Sequence, residues 1–537
     1  MWVLGINWRF HDASAALVDG DGRLFALAEE ERYSRVKHAW NTLPREAVAF
    51  CLRTGGITWR EVDVVAIGWD LRLMGPWSDA DTGELYAEIF GPGAAGREAP
   101  RLEFVEHHLA HACSAFYASG FPEAGVLVAD GTGESAATSI FAAQHGAGLT
   151  LRRRWPRKYS LGTMYEAATR LLGFGGLEAG KTMGLAPYGI ADDHVVLPFG
   201  DEVSTGPWGN KMLCDLPPDP SNPQMREAWT RYLADRFGAV TRPPGELDQD
   251  PIAVRIAASV QRTVEEAMRA LYAETVCLSG SPNICLAGGV ALNCVSNGRL
   301  PEPLYIPPFP HDAGVSLGAA WAIAPPACPV PLQSPYLGGT LDAGPQADQA
   351  RADGMHVEPF VPEVAAELLL HGAIGAVAEG RAEAGPRALG HRSIIAIPRP
   401  AGVRDRINVL KGREPWRPLA PVTFPDYAPR LWPGQGSRAL YMVGAATVSA
   451  HGQQVMPAVT HVDATTRPQV LPSGAAPAVE SILRQLQQAG LPPVLVNTSL
   501  NGRGEPIIDS AAQAVDTLKG LSLDFLILGQ HLIRPPR

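Results

Sequence analysis

Two histidines four positions apart, His107 and His111, are the residues with the clearest capacity for chemistry. The recurrence of Ala, Leu and His over residues 106–118 predicts a helix. On a helix this spacing puts both imidazoles on one face, where they can bind one metal ion, whereas His108 is rotated about 100° away. Two buried core histidines are the alternative, because 14 histidines in 537 residues produce such pairs by chance.

Two carboxylates elsewhere in the chain could complete this metal site. Asp130 follows a short predicted strand over residues 126–129, and Asp312 lies in the run Phe309-Pro310-His311-Asp312-Ala313-Gly314. Two histidines with a carboxylate and open positions suit Fe(II), Zn or Mn. Asp130 could instead be a turn residue, and Asp312 could be a helix N-cap before residues 315–320.

Two glycine segments are candidate phosphate loops. One follows Asp130, and the other ends a buried strand that begins at Ile284. Glycine lets backbone N–H groups approach anionic oxygens closely. The predicted nucleotide contacts are Gly131, Thr132, Gly133, Gly288, Gly289 and Asn293.

His11 lies in a polar loop beside Asp12. An imidazole with an ordinary pKa of about 6.5 can deprotonate a hydroxyl group, so both residues are candidate catalytic groups. The alternative is a turn histidine that caps Ser14 or packs on Phe10. Lys37, which follows an acidic run, could contact substrate, although such runs more often form a solvated surface.

Positive charge is concentrated near the C-terminus of a chain whose net charge is −10. Arginine-rich segments cover residues 381–393 and 411–418, and a third segment, 494–501, ends a predicted strand in small polar side chains. Paired arginine donors suit phosphate and planar carbamate oxygens. The three segments together predict an anion pocket, whereas each alone could be a surface patch or an Asx turn.

The predicted elements indicate an α/β fold with an internal duplication. Strands are predicted at 3–7, 13–18 and 23–29, and the same layout recurs at 126–129, 136–142 and 149–153. Each copy has a polar loop after its first strand, and the glycine segment that ends the strand from Ile284 follows both copies. That order is the pattern of the actin-like ATPase fold.

Two domains are expected from the length of the chain and from the proline-rich segment that divides it. Residues around 190–250 are dense in Pro, Gly and Asp, which predicts an insertion or lid. Asp250 then provides an N-cap for a long amphipathic helix. A proline-rich linker over 325–335 predicts domains at 1–335 and 345–537.

Charge and hydropathy restrict the partners and the compartment. With 45 basic against 55 acidic residues, the surface should repel phosphate backbones, so nucleic acid is not an expected partner. The N-terminus lacks the pattern of a signal peptide, and no apolar stretch reaches the ~20 residues that a membrane helix needs. A cytoplasmic protein without a membrane partner is expected. A homodimer is one option, and the sequence leaves the oligomeric state open.

Taken together, these motifs resemble the O-carbamoyltransferases of nodulation-factor and antibiotic biosynthesis, a family that includes the tobramycin and cephalosporin enzymes. The resemblance runs almost end to end, and it departs from the commoner pattern at Leu500, where Phe is usual. The segments that carry it are Phe10-His11-Asp12, Ala28-Glu29-Glu30-Glu31-Arg32, His107-His108-Leu109-Ala110-His111, Glu178-Ala179-Gly180-Lys181-Thr182-Met183-Gly184-Leu185-Ala186, Ala287-Gly288-Gly289, Gly385-Pro386-Arg387-Ala388-Leu389-Gly390 and Asn497-Thr498-Ser499.

The resemblance implies an actin-like (Kae1-like) N-terminal domain that binds iron and a C-terminal YrdC-like domain. It also implies two steps, in which carbamoyl phosphate and ATP, with Mg, give carbamoyladenylate, and a small-molecule hydroxyl then accepts the carbamoyl group. Gly288 and Gly289 would hold AMP, and Lys37 and Lys181 would be candidate acceptor contacts. The candidate ligands of the activated anion are Arg387, Arg392, Lys411, Arg417, Asn497 and Ser499.

Three other functions share parts of this pattern. A sugar kinase would share the glycine loops but would not need the histidine pair or the arginine-rich domain. A tRNA threonylcarbamoylation enzyme would share both sites, but the acidic surface argues against tRNA. A non-catalytic ATP-binding regulator would need only the glycine loops.

Overall fold

The structure, a computed structural model, describes residues 1–94, 99–192, 216–217, 219–434 and 436–536. Residues 193–215 and 218, which belong to the predicted insertion at 190–250, lie outside the described residues. The described chain forms two compact units. Unit 1 comprises Met1–Glu30 and His38–Gln333, and unit 2 comprises Glu31–Lys37 and Ser334–Arg537.

Unit 1 contains two five-stranded sheets with the same topology, so the duplication predicted from the sequence is present. Apolar residues alternate with turn residues in both copies, and each copy begins with an antiparallel meander whose first strand is then extended by parallel strands. The order is β3-β2-β1-β4-β5 in one sheet and β8-β7-β6-β9-β10 in the other. The strands are β1 (Trp2–Asn7), β2 (Ser14–Asp19), β3 (Leu24–Glu29), β4 (Val64–Ile67), β5 (Arg101–Phe104), β6 (Glu123–Ala129), β7 (Ala136–Gln144), β8 (Gly148–Pro156), β9 (Ile284–Ala287) and β10 (Leu304–Tyr305).

Helices cover these sheets, and the two that matter most for the site are in direct backbone contact. A Cβ placed on Gly318 would lie 1.7 Å from the carbonyl oxygen of Ala110, so only glycine permits the helix Val315–Ile323 to approach the helix His107–Ser119 this closely. The helices up to residue 323 are α1 (Glu31–Ser34, in unit 2), α2 (Arg45–Gly55), α3 (Asp79–Phe90), α4 (His107–Ser119), α5 (Leu161–Leu171), α6 (Ala179–Leu185), α7 (Asn222–Phe237), α8 (Pro251–Ser279), α9 (Cys294–Gly298) and α10 (Val315–Ile323).

The long helix predicted after Asp250 is α8. Asp250 caps it by accepting hydrogen bonds from the backbone N–H groups of Ile252 and Ala253. The segment after β9 forms only short helical turns. A 3₁₀ turn over Gly289–Leu292 is followed only by the five-residue α9, because Asn293 interrupts the helical backbone.

Unit 2 is built on one mixed eight-stranded sheet with the order β11-β20-β19-β12-β13-β18-β14-β17, and β15 and β16 form a separate pair. Its strands are β11 (His356–Pro359), β12 (Gly375–Ala378), β13 (Arg392–Ala396), β14 (Ala420–Thr423), β15 (Ala446–Thr447), β16 (Thr465–Thr466), β17 (Gln469–Val470), β18 (Val494–Ser499), β19 (Phe525–Leu528) and β20 (His531–Arg534). Its further helices are α11 (Gly344–Ala352), α12 (Pro362–Leu370), α13 (Val403–Leu410), α14 (Ala428–Leu431), α15 (Ala450–Val455), α16 (Pro477–Gln488) and α17 (Ala511–Gly520).

Apolar residues cover both faces of this sheet, so its strands are nearly continuous hydrophobic runs. In neither unit is any described helix both long and apolar enough to cross a membrane.

Candidate functional site

Four side chains in unit 1 form a buried cluster with the geometry of a metal site. One donor atom from each of His107, His111, Asp130 and Asp312 lies within 4.8 Å of the other three. His107 Nε2 is 3.5 Å from Asp130 Oδ2 and 3.6 Å from Asp312 Oδ1, and His111 Nε2 is 3.4 Å from Asp312 Oδ1. The sequence proposed these four residues as ligands, and the structure brings them together.

Three elements position the cluster. His107 and His111 lie on the first two turns of α4, and Asp130 directly follows β6. Asp312 begins a 3₁₀ turn before α10, and its side chain does not cap that helix. The contact of α10 with α4 therefore carries Asp312 to the two histidines.

The ring of His107 is fixed from two sides. Its Nδ1 lies 3.0 Å from the carbonyl oxygen of Gly68, which assigns the proton to Nδ1 and leaves Nε2 as the ligand atom. The indole of Trp69 stacks on the imidazole with 3.7 Å between centroids, and Trp69 Nε1 donates to Asn7 Oδ1 at 3.1 Å. The Nε2 atoms of His107 and His111 are buried and make no hydrogen bond to any residue that the structure describes, as expected for atoms that bind a metal.

The cluster balances its charge without a metal by holding protons on imidazole. Burial alone would lower the pKa of His107, but the carboxylates of Asp312 and Asp130 outweigh it and raise that pKa well above its ordinary value. Burial likewise opposes ionisation of Asp312, but His107 and His11 lower its pKa well below the usual range. A divalent cation could replace these protons as the positive charge of the site.

His108 does not join the cluster, as its position on the helix predicted. Its Nδ1 lies 2.8 Å from Ser139 Oγ, and a Cβ on Gly133 would be 2.8 Å from its ring. Burial lowers the pKa of His108 to about 3, so the ring is neutral.

His11 and Asp12 lie at the edge of the cluster. His11 Nδ1 is 2.9 Å from Asp12 Oδ2 and 3.9 Å from Asp312 Oδ2. Burial opposes protonation of His11, but Asp312 and Asp12 outweigh it and raise its pKa to about 9. His38 Nδ1 contacts Asp12 Oδ1 at 2.9 Å, so Asp12 holds two imidazoles.

The two glycine segments of unit 1 lie side by side. Gly289 N–H donates to Asp130 Oδ1 at 2.7 Å, and the carbonyl oxygen of Gly131 accepts from Ser160 Oγ at 2.7 Å. Gly288 has φ +92°, and a Cβ there would lie 2.3 Å from the carbonyl oxygen of Ala129. The structure therefore places the predicted nucleotide loops together, with Thr132 Oγ1 bonded to the Gly133 carbonyl oxygen at 3.2 Å.

Two predicted contacts have other partners. Asn293 caps α9 through Ser296 N–H and exchanges hydrogen bonds with Gln261 at 2.9 and 3.1 Å. Lys181 pairs with Glu178 at 2.8 Å and lies over the Phe174 ring. Neither side chain is directed to the glycine loops by these contacts.

Unit 2 contains a cluster of cations, in which Lys411 is buried and the arginines Arg387, Arg413, Arg417 and Arg467 are half-buried. The Lys411 ammonium donates to the carbonyl oxygen of Ser499 and, at 2.8 and 2.9 Å, to the carbonyl oxygen and Oδ1 of Asn501. Burial and the positive charges of Arg413, Arg417 and Lys37 hold the pKa of Lys411 well below its usual range. Ser499 Oγ also donates to Asn501 Oδ1 at 2.6 Å.

Arg413 interacts electrostatically with several other cationic side chains of this cluster. Burial, followed by Arg417, Arg467 and Arg387, lowers its pKa well below the ordinary value for arginine. Like charges that repel one another in a buried site are stabilised by an anion. Arg387 and Arg417, which the sequence proposed, therefore belong to a cluster that includes Arg413 and Arg467.

Arg392 and Asn497 are placed differently from one another. The guanidinium of Arg392 is fully buried and bonds the carbonyl oxygens of five residues, so these contacts hold the backbone and give no support to anion binding; the five are Gly339, Glu379, Gly380, His391 and Asp509. Asn497 Nδ2 donates to the Ala388 carbonyl oxygen and to Gln469 Oε1 at 3.1 and 2.6 Å. Its buried Oδ1 makes no hydrogen bond among the described residues.

Sequence reasoning missed four residues of these clusters. His311 Nε2 lies 4.0 Å from Asp12 Oδ1, and His38 bonds the same carboxylate. Arg413 stood inside a segment already recognised as basic, which was an available signal. Arg467 is isolated in the sequence, and no local pattern indicates its position.

Two family models and several curated proteins match this chain. The family described as "Carbamoyltransferase N-terminus" matches residues 2–77 and 94–321, and "Carbamoyltransferase C-terminus" matches residues 366–535. "Nodulation protein NolNO" of Sinorhizobium fredii is 33% identical over an alignment of 561 positions, gaps included, that covers 98% of this chain and 79% of that protein. "Nodulation protein U" of the same species is 29% identical, covering 96% of each. The chain therefore belongs to the carbamoyltransferase family and is a carbamoyltransferase enzyme.

Proposed function

We propose that the protein is an ATP-dependent O-carbamoyltransferase that uses carbamoyl phosphate, through carbamoyladenylate, to modify a hydroxyl group of a small-molecule natural product. The observation that carries the proposal is the presence, in one chain, of two sites of opposite chemistry. One is the buried His/Asp cluster of unit 1 and the other is the half-buried cation cluster of unit 2. A reaction with a polyanionic activation step and a separate transfer step requires both.

Activation is assigned to unit 2. Water hydrolyses carbamoyl phosphate to carbamate and inorganic phosphate. A carbamate oxygen then attacks the α-phosphorus of ATP, and pyrophosphate leaves as its bond to that phosphorus breaks. Arg387, Arg413 and Arg417 would bind the anions, and the mutual repulsion that lowers the pKa of Arg413 would be relieved by them. Lys411 would shape the loop at residues 499–501 through its three carbonyl and amide acceptors. Mg would accompany ATP.

Transfer is assigned to unit 1. The acceptor oxygen attacks the carbamoyl carbon, AMP leaves, and the hydroxyl proton passes to His11, whose imidazole Asp12 orients at 2.9 Å. Two of the carboxylates that raise the pKa of His11 belong to the proposed metal ligands, so their charge acts on His11 only while no cation offsets it. Gly131–Gly133 and Gly288–Gly289 would bind AMP through backbone N–H groups.

The residues of the His/Asp cluster fit a divalent metal. The cluster offers two imidazoles and two carboxylates, from His107, His111, Asp130 and Asp312. Both Nε2 atoms are buried and have no hydrogen-bond partner among the described residues. These residues would hold the metal, Fe(II) by resemblance, which would supply Lewis acidity towards the reacting oxygens. The backbone acceptor for His107 Nδ1 and the stacked Trp69 keep the ligand atom in place.

The repeated strand order supports the further assignment of residues 1–335 as an actin-like, Kae1-like domain. Residues 345–537 would be the YrdC-like domain that forms carbamoyladenylate, as the family resemblance implies. Carbamoyl phosphate, ATP and a hydroxyl acceptor would be the partners, in the cytoplasm, with a homodimer as one form of assembly.

Release of pyrophosphate tests the proposal. The full chain, supplied with ATP, Mg and carbamoyl phosphate, should release pyrophosphate only when both substrates are present. Omission of carbamoyl phosphate is the control for simple ATP hydrolysis. ADP formation that depends on an added sugar would instead indicate a kinase, and the absence of any turnover would favour a regulator.

A further inference from the structure

Trp40 is the only exposed Trp, Phe or Tyr side chain in the part of the chain that the structure describes, with 59% of its surface accessible. A large aromatic ring loses the favourable free energy of burial when it stays in water. Trp40 belongs to unit 1 and lies outside the described helices and strands.

The backbone around Trp40 is strained. His38, Ala39 and Asn41 have φ of +64°, +37° and +49°, a region unfavourable for residues other than glycine. Six of the nine such residues in the described chain lie between positions 9 and 41. Strain of this kind persists where the surrounding structure enforces it, and it concentrates at functional sites.

Hydrogen bonds fasten this strained segment to the loop that carries His11. Asp12 N–H donates to the carbonyl oxygen of His38 at 2.6 Å, and Asn41 N–H donates to that of Phe10 at 2.8 Å. The Asp12 carboxylate adds its contact with the His38 ring at 2.9 Å. Trp40 is therefore held at a fixed position relative to His11 although it is not buried in a core.

The two rings stack. The centroids of His11 and Trp40 are 5.9 Å apart, with 26° between the planes. Because stacked planes in contact lie about 3.5–4 Å apart, the rings are displaced sideways. Part of the indole face thus remains beside the imidazole, and His11 is itself 28% exposed.

We propose that Trp40 is a specificity-determining residue for the acceptor: a ring with an apolar face lies on its indole and places a hydroxyl group, attached to that ring directly or through one methylene, beside His11. Rigid aromatic side chains provide such contact at a low cost in conformational entropy. The proposal rests on the proposed function, because it places the acceptor hydroxyl of that reaction beside His11. It selects cyclic over flexible linear acceptors, and the ring can be a sugar or an arene.

Saturation-transfer NMR on the full chain tests this role with three probes: methyl β-D-glucopyranoside, benzyl alcohol and the linear alditol sorbitol. At least one ring probe should receive saturation, and sorbitol should not. Trp40→Ala should weaken binding of that ring probe about 2- to 10-fold, the range expected for loss of an aromatic stack. Trp40→Phe should restore part of the signal. Leu73→Ala is the matched control, because Leu73 is a large hydrophobic side chain that is 70% exposed in the same unit but has no aromatic ring to stack on a ligand.

Equal signals from sorbitol and the ring probes, no signal from either ring, or unchanged binding in Trp40→Ala would each overturn the proposal. A signal from the pyranoside alone or from benzyl alcohol alone identifies which ring the site accepts and supports it. Pyrophosphate release by the wild-type protein, measured in the same preparation, reports on the proposed function separately. Ring binding through Trp40 without pyrophosphate release would support the ring site and contradict the two-step reaction.

Discussion

The Oδ1 atom of Asp130 accepts a 2.7 Å hydrogen bond from the backbone N–H of Gly289. The other oxygen of the same carboxylate lies 3.5 Å from His107 Nε2. One side chain therefore joins the histidine cluster to the glycine loop that follows β9. Substitutions at this position can separate the two connections.

Asp130→Asn should lose metal while keeping the bond to the glycine loop. An amide oxygen can still accept from Gly289 N–H, but the neutral side chain is a weaker ligand for a divalent cation. We expect metal affinity to fall at least about ten-fold, measured as metal content after dialysis. Asp130→Ala should lose metal as well and be less stable to urea than Asp130→Asn, because it also leaves the N–H without its acceptor. Full metal content in Asp130→Asn would exclude Asp130 as a ligand.

The two adjacent histidines of α4 should behave differently. His107→Ala removes a proposed ligand, so its metal affinity should fall about 100-fold or more. His108→Asn should keep its metal, because His108 contacts Ser139 and lies outside the cluster. Atomic absorption on the two purified variants makes the comparison, and equal metal loss in both would point to a general disturbance of the helix.

Arg413→Gln should weaken anion binding without weakening the fold. The substitution relieves the repulsion among Arg413, Arg417 and Arg467, so the melting temperature without ligand should stay equal or rise. Pyrophosphate should bind about 10-fold more weakly or worse, seen as a smaller ligand-induced rise in melting temperature.

Arg392→Lys is the contrasting variant. A lysine ammonium has three donors at one point in place of the five spread over the guanidinium, so at least two of the five carbonyl oxygens lose their donor, and the change should cost at least about 2 kcal/mol of unfolding free energy. It should retain the pyrophosphate-induced rise. A stable Arg392→Lys variant that fails to bind pyrophosphate would show that Arg392 acts as an anion ligand after all.

Asp250 should make the stability of unit 1 depend on pH in the acid range. Burial opposes its ionisation, but hydrogen bonds from Ala253, Thr241 and Arg242 outweigh it and lower the pKa of Asp250 to about 2. Because the folded pKa is depressed, the stabilisation of about 2 kcal/mol is present above the unfolded value of about 3.9 and is lost as pH falls towards 2. Urea denaturation from pH 6 to pH 2 should show the advantage over Asp250→Asn shrinking below pH 4. A constant difference would contradict the assignment.

The duplicated strands were predictable because their signals are local. Short runs rich in apolar residues, separated by turn residues, mark β1 to β3 and β6 to β8 within a few positions of their ends. The path of residues 31–37 was not. The acidic run before Arg32 has the composition of a solvated surface, yet Arg32 is 3% exposed and donates to the carbonyl oxygen of Gly385 at 2.6 Å. That contact spans 353 residues, and no local pattern encodes it.

The residue types of the site were more predictable than their positions. Helical spacing pairs His107 with His111, but only the packing of α10 on α4 brings Asp312 to them. Charge alone could not distinguish Arg392, whose guanidinium donates all its hydrogen bonds to backbone carbonyl oxygens, from Arg413, which lies among other cations. No sequence pattern indicated a role for Trp40, because its exposure and its stack on His11 exist only in the folded chain.

The central claim, that one chain activates a carbamoyl group as an adenylate before transfer, is tested most directly by a double label. The full-length protein is incubated with ¹³C-carbamoyl phosphate, ATP labelled at the α-phosphate and Mg, without acceptor, and the products are separated at once by liquid chromatography with mass detection. The account predicts a species that carries both labels, formed together with pyrophosphate. Formation of ADP, or of singly labelled products alone, would contradict it.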